Sequence, residues 1–178
     1  YLFPKAHAVA YVMMAFRIAW FKVYHPLAFY AAYFYRRSQK GGFDAALMTT
    51  GLDAVKANIQ AIDGNENATD KDEDLLTTLE VCYEFYLRGY EFLPIDLYKS
   101  QATRFEVEDG KIRPPFVAIS GLGENAALDL VRGREGKTFL SIEEVAAACP
   151  KVSKTHIQIL KEGGAFGNLP DTSQVSLF

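Results

Sequence analysis

The sequence predicts a mainly α-helical fold with one short β-hairpin, and three observations support this. Apolar residues recur at helical spacing over most of the 178 residues, prolines and glycines separate these segments, and Asp109-Gly110 lies between two short extended runs. With 49% apolar residues, we expect one or two domains, each with a real core. Cys82 and Cys149 lie too far apart for a zinc motif, so neither a zinc site nor a disulfide framework is predicted.

Four helices are predicted in the first 100 residues, over residues 4–23, 26–37, 43–62 and 73–87. Pro4 and Pro26 stand in the first turns of the first two helices. Gly51 weakens or kinks the third, and Gly89 ends the fourth. The acidic run at residues 70–74 is predicted to be a solvated loop.

The first helix is expected to be mostly buried. Its apolar stretch includes His7 and Arg17 and ends at Lys22, and it is shorter than the ~20 apolar residues of a membrane span. No small-residue cleavage site follows a charged segment, so a signal peptide is not predicted. The chain begins on an apolar stretch without an initiator Met, which indicates a piece of a longer protein.

Short extended runs at residues 92–98 and 104–107 follow the four helices, and residues 111–113 are predicted to pair back as a β-hairpin. From Phe116 onward the pattern is helical again, in short units. A domain boundary near residue 100 is therefore predicted.

Charge is unevenly distributed along the chain. The formal net charge of −3 by itself argues against a nucleic-acid partner. However, residues 1–40 hold six basic and no acidic side chains, residues 41–110 hold 5 basic and 15 acidic, and residues 111–178 hold 8 basic and 7 acidic. Charge blocks of this kind are usually solvated helix faces, so charge alone does not identify a site.

Residues 116–131 carry the most informative motif: a short helix, a turn with one apolar residue between two glycines, and a second helix. Such a turn leaves N–H groups at a helix N-terminus pointing outward, where they hold a phosphate without reading a base. The arrangement resembles the helix-hairpin-helix motif of proteins that bind the DNA backbone. Its candidate DNA contacts are Gly121, Leu122, Gly123, Glu124 and Asn125.

Two other interpretations fit a glycine-rich turn. A dinucleotide-binding fingerprint needs a third glycine and a preceding strand, and the sequence has neither. An ordinary turn between two helices remains open for a motif that occurs once.

A second, degenerate copy of the motif lies thirty residues further on. Lys151, Val152 and Ser153 replace Gly121, Leu122 and Gly123. Ser153 is a favourable N-cap, and Lys151 and Lys154 supply cations for phosphate, so all four residues from Lys151 to Lys154 are candidate DNA contacts. His156 is expected to be a surface or core residue rather than a metal ligand, because it has no second ligand four residues on.

Three further blocks occur in a fixed order. They are residues 3–8 (FPKAHA) running into Ala10 and Tyr11, residues 23–27 (VYHPL), and residues 96–103 (DLYKSQAT), which lead into the first glycine turn. In sequence and order they resemble the C-terminal part of the PolC-type family of bacterial replicative DNA polymerase III alpha subunits. The resemblance covers essentially the whole chain.

The resemblance implies three parts: residues 1–100 as the C-terminal part of the fingers region, residues 101–170 as a tandem helix-hairpin-helix duplex-binding domain, and residues 171–178 as a clamp-binding tail. It also implies template-directed synthesis from dNTPs in the bacterial cytoplasm, with duplex primer-template DNA, the incoming dNTP and the sliding clamp as partners. In the family, palm carboxylates hold two Mg²⁺ ions outside this segment. We therefore expect no catalytic or metal-binding residue here, no membrane partner, and no activity from the segment alone.

The resemblance also makes Lys5 and His7 candidate contacts of the nucleotide triphosphate or a nearby DNA phosphate. Both lie in the first predicted turn of a helix, where anions are favoured, and the block around them has no acidic residue. A solvated Lys5, and a His7 packed against Tyr11, is the alternative left open.

The last five residues resemble the peptide that docks on the sliding clamp. They are Gln174, Val175, Ser176, Leu177 and Phe178, with Val175 in place of the usual Leu. An apolar Leu-Phe pair can enter a hydrophobic pocket while Gln174 fixes the register.

Two other function classes remain open from the sequence. One is a non-enzymatic helix-hairpin-helix module of a repair or recombination factor, for which the basic, aromatic first block has little use. The other is a helical scaffold whose glycine turns bind nothing, which predicts no salt-dependent DNA binding.

Overall fold

The computed structural model describes residues 4–173 and is mainly helical with one small antiparallel sheet, which confirms the predicted fold class. The helices are α1 (Lys5–Tyr24), α2 (Pro26–Ser38), α3 (Ala45–Met48), α4 (Leu52–Asp63), α5 (Asp70–Leu87), α6 (Glu124–Gly133), α7 (Ile142–Ala148) and α8 (Lys154–Glu162), and the strands are β1 (Glu106–Glu108) and β2 (Lys111–Arg113).

The third predicted helix is divided in two at Gly51. This glycine has φ +106, a conformation that other residues rarely adopt, so the helix cannot continue through it. Asp44 is the N-cap of the short α3, and its carboxylate accepts the N–H of Ala46 at 3.0 Å. At the end of α5, Gly89 has φ +81 directly after the C-cap, as predicted.

The prediction of a solvated loop at residues 70–74 is wrong, because these residues form the first turn of α5. Thr69 and Asp72 form a capping box: the Thr69 hydroxyl accepts the N–H of Asp72, and the Asp72 carboxylate accepts the N–H of Thr69 at 2.9 Å. The hydrogen bonds from Thr69 hold the pKa of Asp72 below its usual range. Carboxylates are favoured at a helix N-terminus, so the acidic run starts the helix rather than preventing it.

The prediction that α1 is mostly buried is also wrong for the described residues. None of its side chains is buried, and Phe16 is 74% exposed. The helix contacts α2, and Lys22 reaches Glu84 of α5 with 2.7 Å between nitrogen and oxygen. An apolar pattern indicates that a helix favours burial, but among the described α1 residues only Lys22 is half-buried and all the others are exposed.

By length and composition alone, α1 is nevertheless long and apolar enough to cross a membrane, so the prediction that the stretch is too short for a span does not hold. Apolar helices that pack against protein meet the same criterion, so it does not distinguish the two environments.

Two hydrophobic clusters form the interior. The aromatic cluster is built around Tyr30 and Phe34 of α2 and Phe85 of α5. The second, which we call the hairpin cluster, is formed by a subset of the buried side chains between Leu97 and Phe166. The polypeptide passes from one cluster to the other more than once, since Leu97 belongs to the hairpin cluster and Ile112 to the aromatic cluster. The boundary near residue 100 stays a prediction.

The predicted β-hairpin is present, with Val107 opposite Ile112 and a turn at Asp109 and Gly110. The extended run predicted at residues 92–98 is reduced to one bridge, between Phe92 and Ile112. The chain turns soon after that bridge because the Asp96 carboxylate accepts the N–H groups of Tyr98 and Lys99, at 2.8 and 3.0 Å.

Candidate nucleic-acid interface

Two turns of the same design lead into α6 and α8. We call residues 121–123 turn 1 and residues 151–153 turn 2. In each, the middle residue is buried and its neighbours are exposed: Leu122 and Val152 both belong to the hairpin cluster. The spacing of the motif therefore correctly predicted both apolar anchors.

The backbone of turn 1 is bent by Gly121, which has φ +83. The N–H of Leu122 closes the turn onto the carbonyl of Ile119 at 3.1 Å. Gly123 is the N-cap of α6, with φ −70 and ψ 160 and no side chain to cap the helix. Among the described residues, no acceptor is bonded to the N–H groups of Glu124 and Asn125.

Turn 2 has the same N-cap conformation and the same closing hydrogen bond with other residues, although its first residue, Lys151, does not share the positive φ of Gly121. Its N-cap, Ser153, has φ −69 and ψ 163, and the N–H of Val152 closes the turn onto the carbonyl of Cys149 at 2.9 Å. Ser153 and His156 form a capping box: the Ser153 hydroxyl accepts the N–H of His156, and His156 Nδ1 accepts the N–H of Ser153 at 3.3 Å. Lys151 and Lys154 are exposed beside it.

The two turns differ in charge. Glu124 places a carboxylate at the exposed start of α6, whereas Lys151 and Lys154 place two cations around the start of α8. Both helix starts offer outward N–H groups and the positive end of a helix dipole, which favour an anion. Turn 1 can bring backbone closest to a phosphate, and turn 2 adds cationic attraction.

The helix predicted before turn 1 is only a 3₁₀ turn, Phe116–Ala118. The N–H of Phe116 donates to the carbonyl of Gln101 at 2.9 Å, and the N–H of Val117 donates to that of Ala102 at 3.1 Å. These bonds to residues 101–102 hold the segment in place, so a full helix is not needed to support the turn.

Arg134, after the end of α6, supports this segment from the other side. Its guanidinium lies 5.7 Å from the centre of the Phe116 ring and donates a hydrogen bond to the carbonyl of Leu97. Burial lowers the pKa of Arg134 from its ordinary value. Within the block at residues 96–103, the buried Ser100 hydroxyl donates to the carbonyl of Pro114 at 2.9 Å. This block therefore connects the β-hairpin region to turn 1.

A cleft of about 600 Å³ lies between turn 1 and the end of α2. Its lining includes Tyr35, Gln39, Gly41, Thr103, Gly123 and Glu124. The start of α6 therefore lines a cleft whose opposite wall is the end of α2.

Two residues that contact the turns were not among the predicted site residues. His156 Nε2 lies 3.0 Å from the carbonyl oxygen of Gly121, and the Asp129 carboxylate accepts the N–H of Lys151 at 2.8 Å. The Ser-x-x-His spacing could have indicated the cap made by His156, but no local pattern indicates its contact with Gly121, 35 residues away.

Lys5 and His7 lie in the first turn of α1, as predicted, and both are exposed. The His7 ring meets the edge of the Tyr11 ring with 4.5 Å between centroids, which is the packing named as the alternative for His7. Their role in nucleotide binding stays a prediction. The predicted clamp-binding residues, 174–178, lie outside the described residues.

The described acidic residues do not fit the Mg²⁺ site of a polymerase. Within residues 4–173, no group of three His, Cys, Asp or Glu side chains could hold a metal ion. In the acidic run, Asp72 caps α5 and Asp74 pairs with Arg37 at 3.2 Å. No step of a metal-assisted reaction can be assigned to these side chains.

Comparison with known proteins gives two results. Residues 89–175 match a family model described as "Helix-hairpin-helix motif". The whole chain is 48% identical to a protein of Streptococcus thermophilus, 46% to one of Clostridium perfringens and 44% to one of Thermotoga maritima, each named "DNA polymerase III PolC-type". The chain spans only 12–13% of the length of these relatives. Over its whole length, the chain is therefore similar to a segment of proteins named DNA polymerase III PolC-type.

Proposed function

We propose that this chain is a segment of a bacterial replicative DNA polymerase and that residues 101–170 bind the backbone of duplex primer-template DNA. The observation that carries the proposal is the pair of turns, each with a buried apolar anchor and exposed N–H groups at the start of a helix. The matches to a helix-hairpin-helix model and to PolC-type polymerases support it.

The chemistry of the turns suits a sequence-independent grip. Backbone N–H groups and helix dipoles bind phosphate oxygens, which are the same at every nucleotide, and they do not reach the base edges. A polymerase must hold any sequence that it copies. Two such turns in one rigid domain can bind two phosphates of the same duplex, so that the second contact adds to the first at little entropic cost.

The N–H of Glu124 provides the sharpest test, because proline is well tolerated at the first position of a helix. Glu124→Pro removes this N–H together with the carboxylate, and Gly123 before it already has the extended ψ of 160 that a following proline requires. Glu124→Gln is the matched control, since it removes the carboxylate and keeps the N–H.

The whole chain is titrated with a fluorescent duplex at several salt concentrations. We expect wild-type binding to weaken steeply with salt, the Gln variant to bind at least as tightly, and the Pro variant to bind about tenfold more weakly than the Gln variant. Equal affinities of the Pro and Gln variants, or wild-type binding that does not depend on salt, would exclude the proposal.

In the parent polymerase, we further propose that Lys5 and His7 contact the triphosphate of the incoming dNTP or a nearby DNA phosphate. The acid-free first forty residues and the position of both side chains in the first turn of α1 support this. His7→Ala in the full polymerase should raise the KM for nucleotide, and an unchanged KM would contradict the assignment. Mg²⁺ ions held by carboxylates outside this chain would supply the metal-assisted nucleotidyl transfer.

We also propose that residues 174–178 attach the polymerase to the sliding clamp. The supporting observation is the sequence itself, an apolar pair, Leu177 and Phe178, at the end of a polar segment. Deleting the five residues should abolish clamp binding and processive synthesis while sparing distributive synthesis. Unchanged affinity for the clamp would contradict this assignment. A replisome in the bacterial cytoplasm is the location that these partners imply.

The alternative, a non-enzymatic module of a repair or recombination factor, explains only the hairpin region. The similarity to PolC-type polymerases extends over all 178 residues, including the basic first block. The polymerase proposal accounts for both parts.

A further inference from the structure

Turns 1 and 2 are connected by two hydrogen bonds that run in opposite directions. His156, in the helix after turn 2, contacts the carbonyl oxygen of Gly121 in turn 1 at 3.0 Å. Asp129, in the helix after turn 1, accepts the N–H of Lys151 in turn 2 at 2.8 Å. Gly121 and Lys151 occupy the same position in the two copies of the motif, so each turn is held at its first residue by the helix of the other.

The hydrogen bonds around His156 require one neutral form of its ring. Nδ1 accepts the N–H of Ser153, so the ring proton is on Nε2 and is donated to the carbonyl of Gly121. The N–H of Leu122, on the other side of the same peptide group, donates to the carbonyl of Ile119 at 3.1 Å. The peptide between Gly121 and Leu122 is therefore fixed at both its oxygen and its nitrogen.

The Asp129 carboxylate fixes turn 2 in a comparable way. It lies on the half-buried side of α6, and the α6 backbone is fixed by Leu130, which is fully buried in the hairpin cluster. Close packing of α6 on α7 adds to this rigidity: a Cβ on Gly133 would lie 2.4 Å from the sulfur of Cys149. The N–H of Lys151 is thereby held by a rigid helix and is not available to a phosphate.

We propose that His156 and Asp129 are positioning residues, which fix the distance and relative orientation of turns 1 and 2 so that both bind one duplex at the same time. The inference rests on the proposed function, because it concerns how the two phosphate-binding turns act together. Neither side chain is assigned a contact with DNA. Their effect is to lower the ordering cost of the second contact, since a turn that is already in place loses little freedom on binding.

For His156, the chain offers a variant that separates the two roles of the ring. In His156→Gln, the Gln carbonyl oxygen can accept the N–H of Ser153 and complete an ordinary Ser-x-x-Gln capping box, which keeps the start of α8. The flexible Gln amide does not hold a donor on the carbonyl of Gly121 as the rigid ring holds Nε2, so this contact is weakened. We expect this variant to bind a duplex long enough to contact both turns about 2- to 10-fold more weakly.

For Asp129, two variants with equal charge isolate the hydrogen bond. Asp129→Asn keeps an oxygen acceptor for the N–H of Lys151, and Asp129→Ala does not, while both remove the negative charge. We expect the Asn variant to bind duplex at least as tightly as wild type and the Ala variant to bind about 2- to 10-fold more weakly than the Asn variant.

The whole chain and its variants are compared by duplex affinity across a salt series. Loss of a simultaneous second contact reduces the number of phosphates neutralised, so the salt dependence of His156→Gln and Asp129→Ala should be shallower than that of wild type. A purely structural defect lowers the amount of active protein and leaves this slope unchanged.

Affinities and slopes equal to wild type in His156→Gln and Asp129→Ala would overturn this inference, and so would weaker binding with an unchanged slope. In either case, the proposed function would stand if Glu124→Pro binds the duplex more weakly than Glu124→Gln does. If Glu124→Pro and Glu124→Gln bind the duplex equally tightly, the proposed function fails, whatever the variants of His156 and Asp129 show.

Discussion

Turn 1 and turn 2 share the backbone conformation of their N-caps but differ in their first residue and in side-chain chemistry: Gly121 has φ +83, whereas Lys151 does not have a positive φ. Their N-caps, Gly123 and Ser153, differ by only a few degrees in φ and ψ. Gly123 has no side chain to cap α6, whereas the Ser153 hydroxyl caps α8. Both turns place a buried anchor, Leu122 or Val152, in the same cluster. The comparison shows that the anchor and the extended N-cap are common to both turns, and that the N-cap position does not require glycine.

The side chains then divide the work of holding an anion between the turns. Turn 1 lacks a capping side chain, which leaves its N–H groups open, but Glu124 beside it repels a phosphate. Turn 2 uses Ser153 to cap its helix and gains Lys151 and Lys154 instead. We therefore expect turn 1 to act through close backbone contact and turn 2 through charge.

Of the changes that test this comparison, removal of the two anchors should cause the largest loss of stability. Leu122→Ala is expected to lower the free energy of unfolding by about 2–5 kcal/mol, and Val152→Ala by about 1–3 kcal/mol, because both side chains leave a cavity in the hairpin cluster and Leu loses more atoms. Denaturant unfolding of the whole chain measures both. Val107→Ala, on exposed β1, is the control and should change stability by less than about 0.5 kcal/mol. A loss no greater than that of the control would show that the anchors do not support the turns.

Neutralising turn 2 tests its role as the charged partner. Replacing both Lys151 and Lys154 with Ala should make the plot of log affinity against log salt shallower by about 1.8, which corresponds to two phosphate contacts. Duplex binding measured by fluorescence anisotropy gives the slope. Lys56→Ala removes one exposed cation from α4 and serves as the control. An unchanged slope in the double variant would assign the charge contacts to other residues.

Exchanging the N-caps should have the smallest effect. Because Gly123 and Ser153 have matching φ and ψ, and no atom lies within 4 Å of a Cβ added at Gly123, Gly123→Ser and Ser153→Gly should each change the free energy of unfolding by only a few tenths of a kcal/mol. Gly121→Ser provides the contrast, since φ +83 should cost about 1–2 kcal/mol. Thermal unfolding distinguishes them. Equal costs at positions 121 and 123 would mean that the left-handed φ does not determine where glycine is needed.

Local patterns were sufficient to predict much of this molecule. The positions of Leu122 and Val152 followed from their spacing to the next helix, and the cap at Ser153 from its residue type, because anchors and caps depend on residues within one helical turn. The β-hairpin followed from Asp109-Gly110 for the same reason. The start of α5 also has a local signal, the capping box of Thr69 and Asp72, although the run of charge around it is equally typical of a solvated loop.

The exposure of α1 and the contacts of His156 and Asp129 could not be predicted in this way. Whether an apolar helix is covered depends on which surfaces the rest of the fold brings to it, and here the fold leaves every described α1 residue except Lys22 exposed. The bond from His156 to Gly121 joins residues 35 apart, and its formation depends on how two helices pack in one cluster.

By itself, then, the sequence determined most of the helices, the cap at Ser153, the two apolar anchors and the resemblance to PolC-type polymerases, because each of these depends on neighbouring residues or on the order of short blocks. The tertiary structure decided how the turns are fixed relative to each other and which surfaces stay open. Those properties arise from contacts between residues distant along the chain, such as Asp129 with Lys151, and only the folded core brings such residues within hydrogen-bond distance.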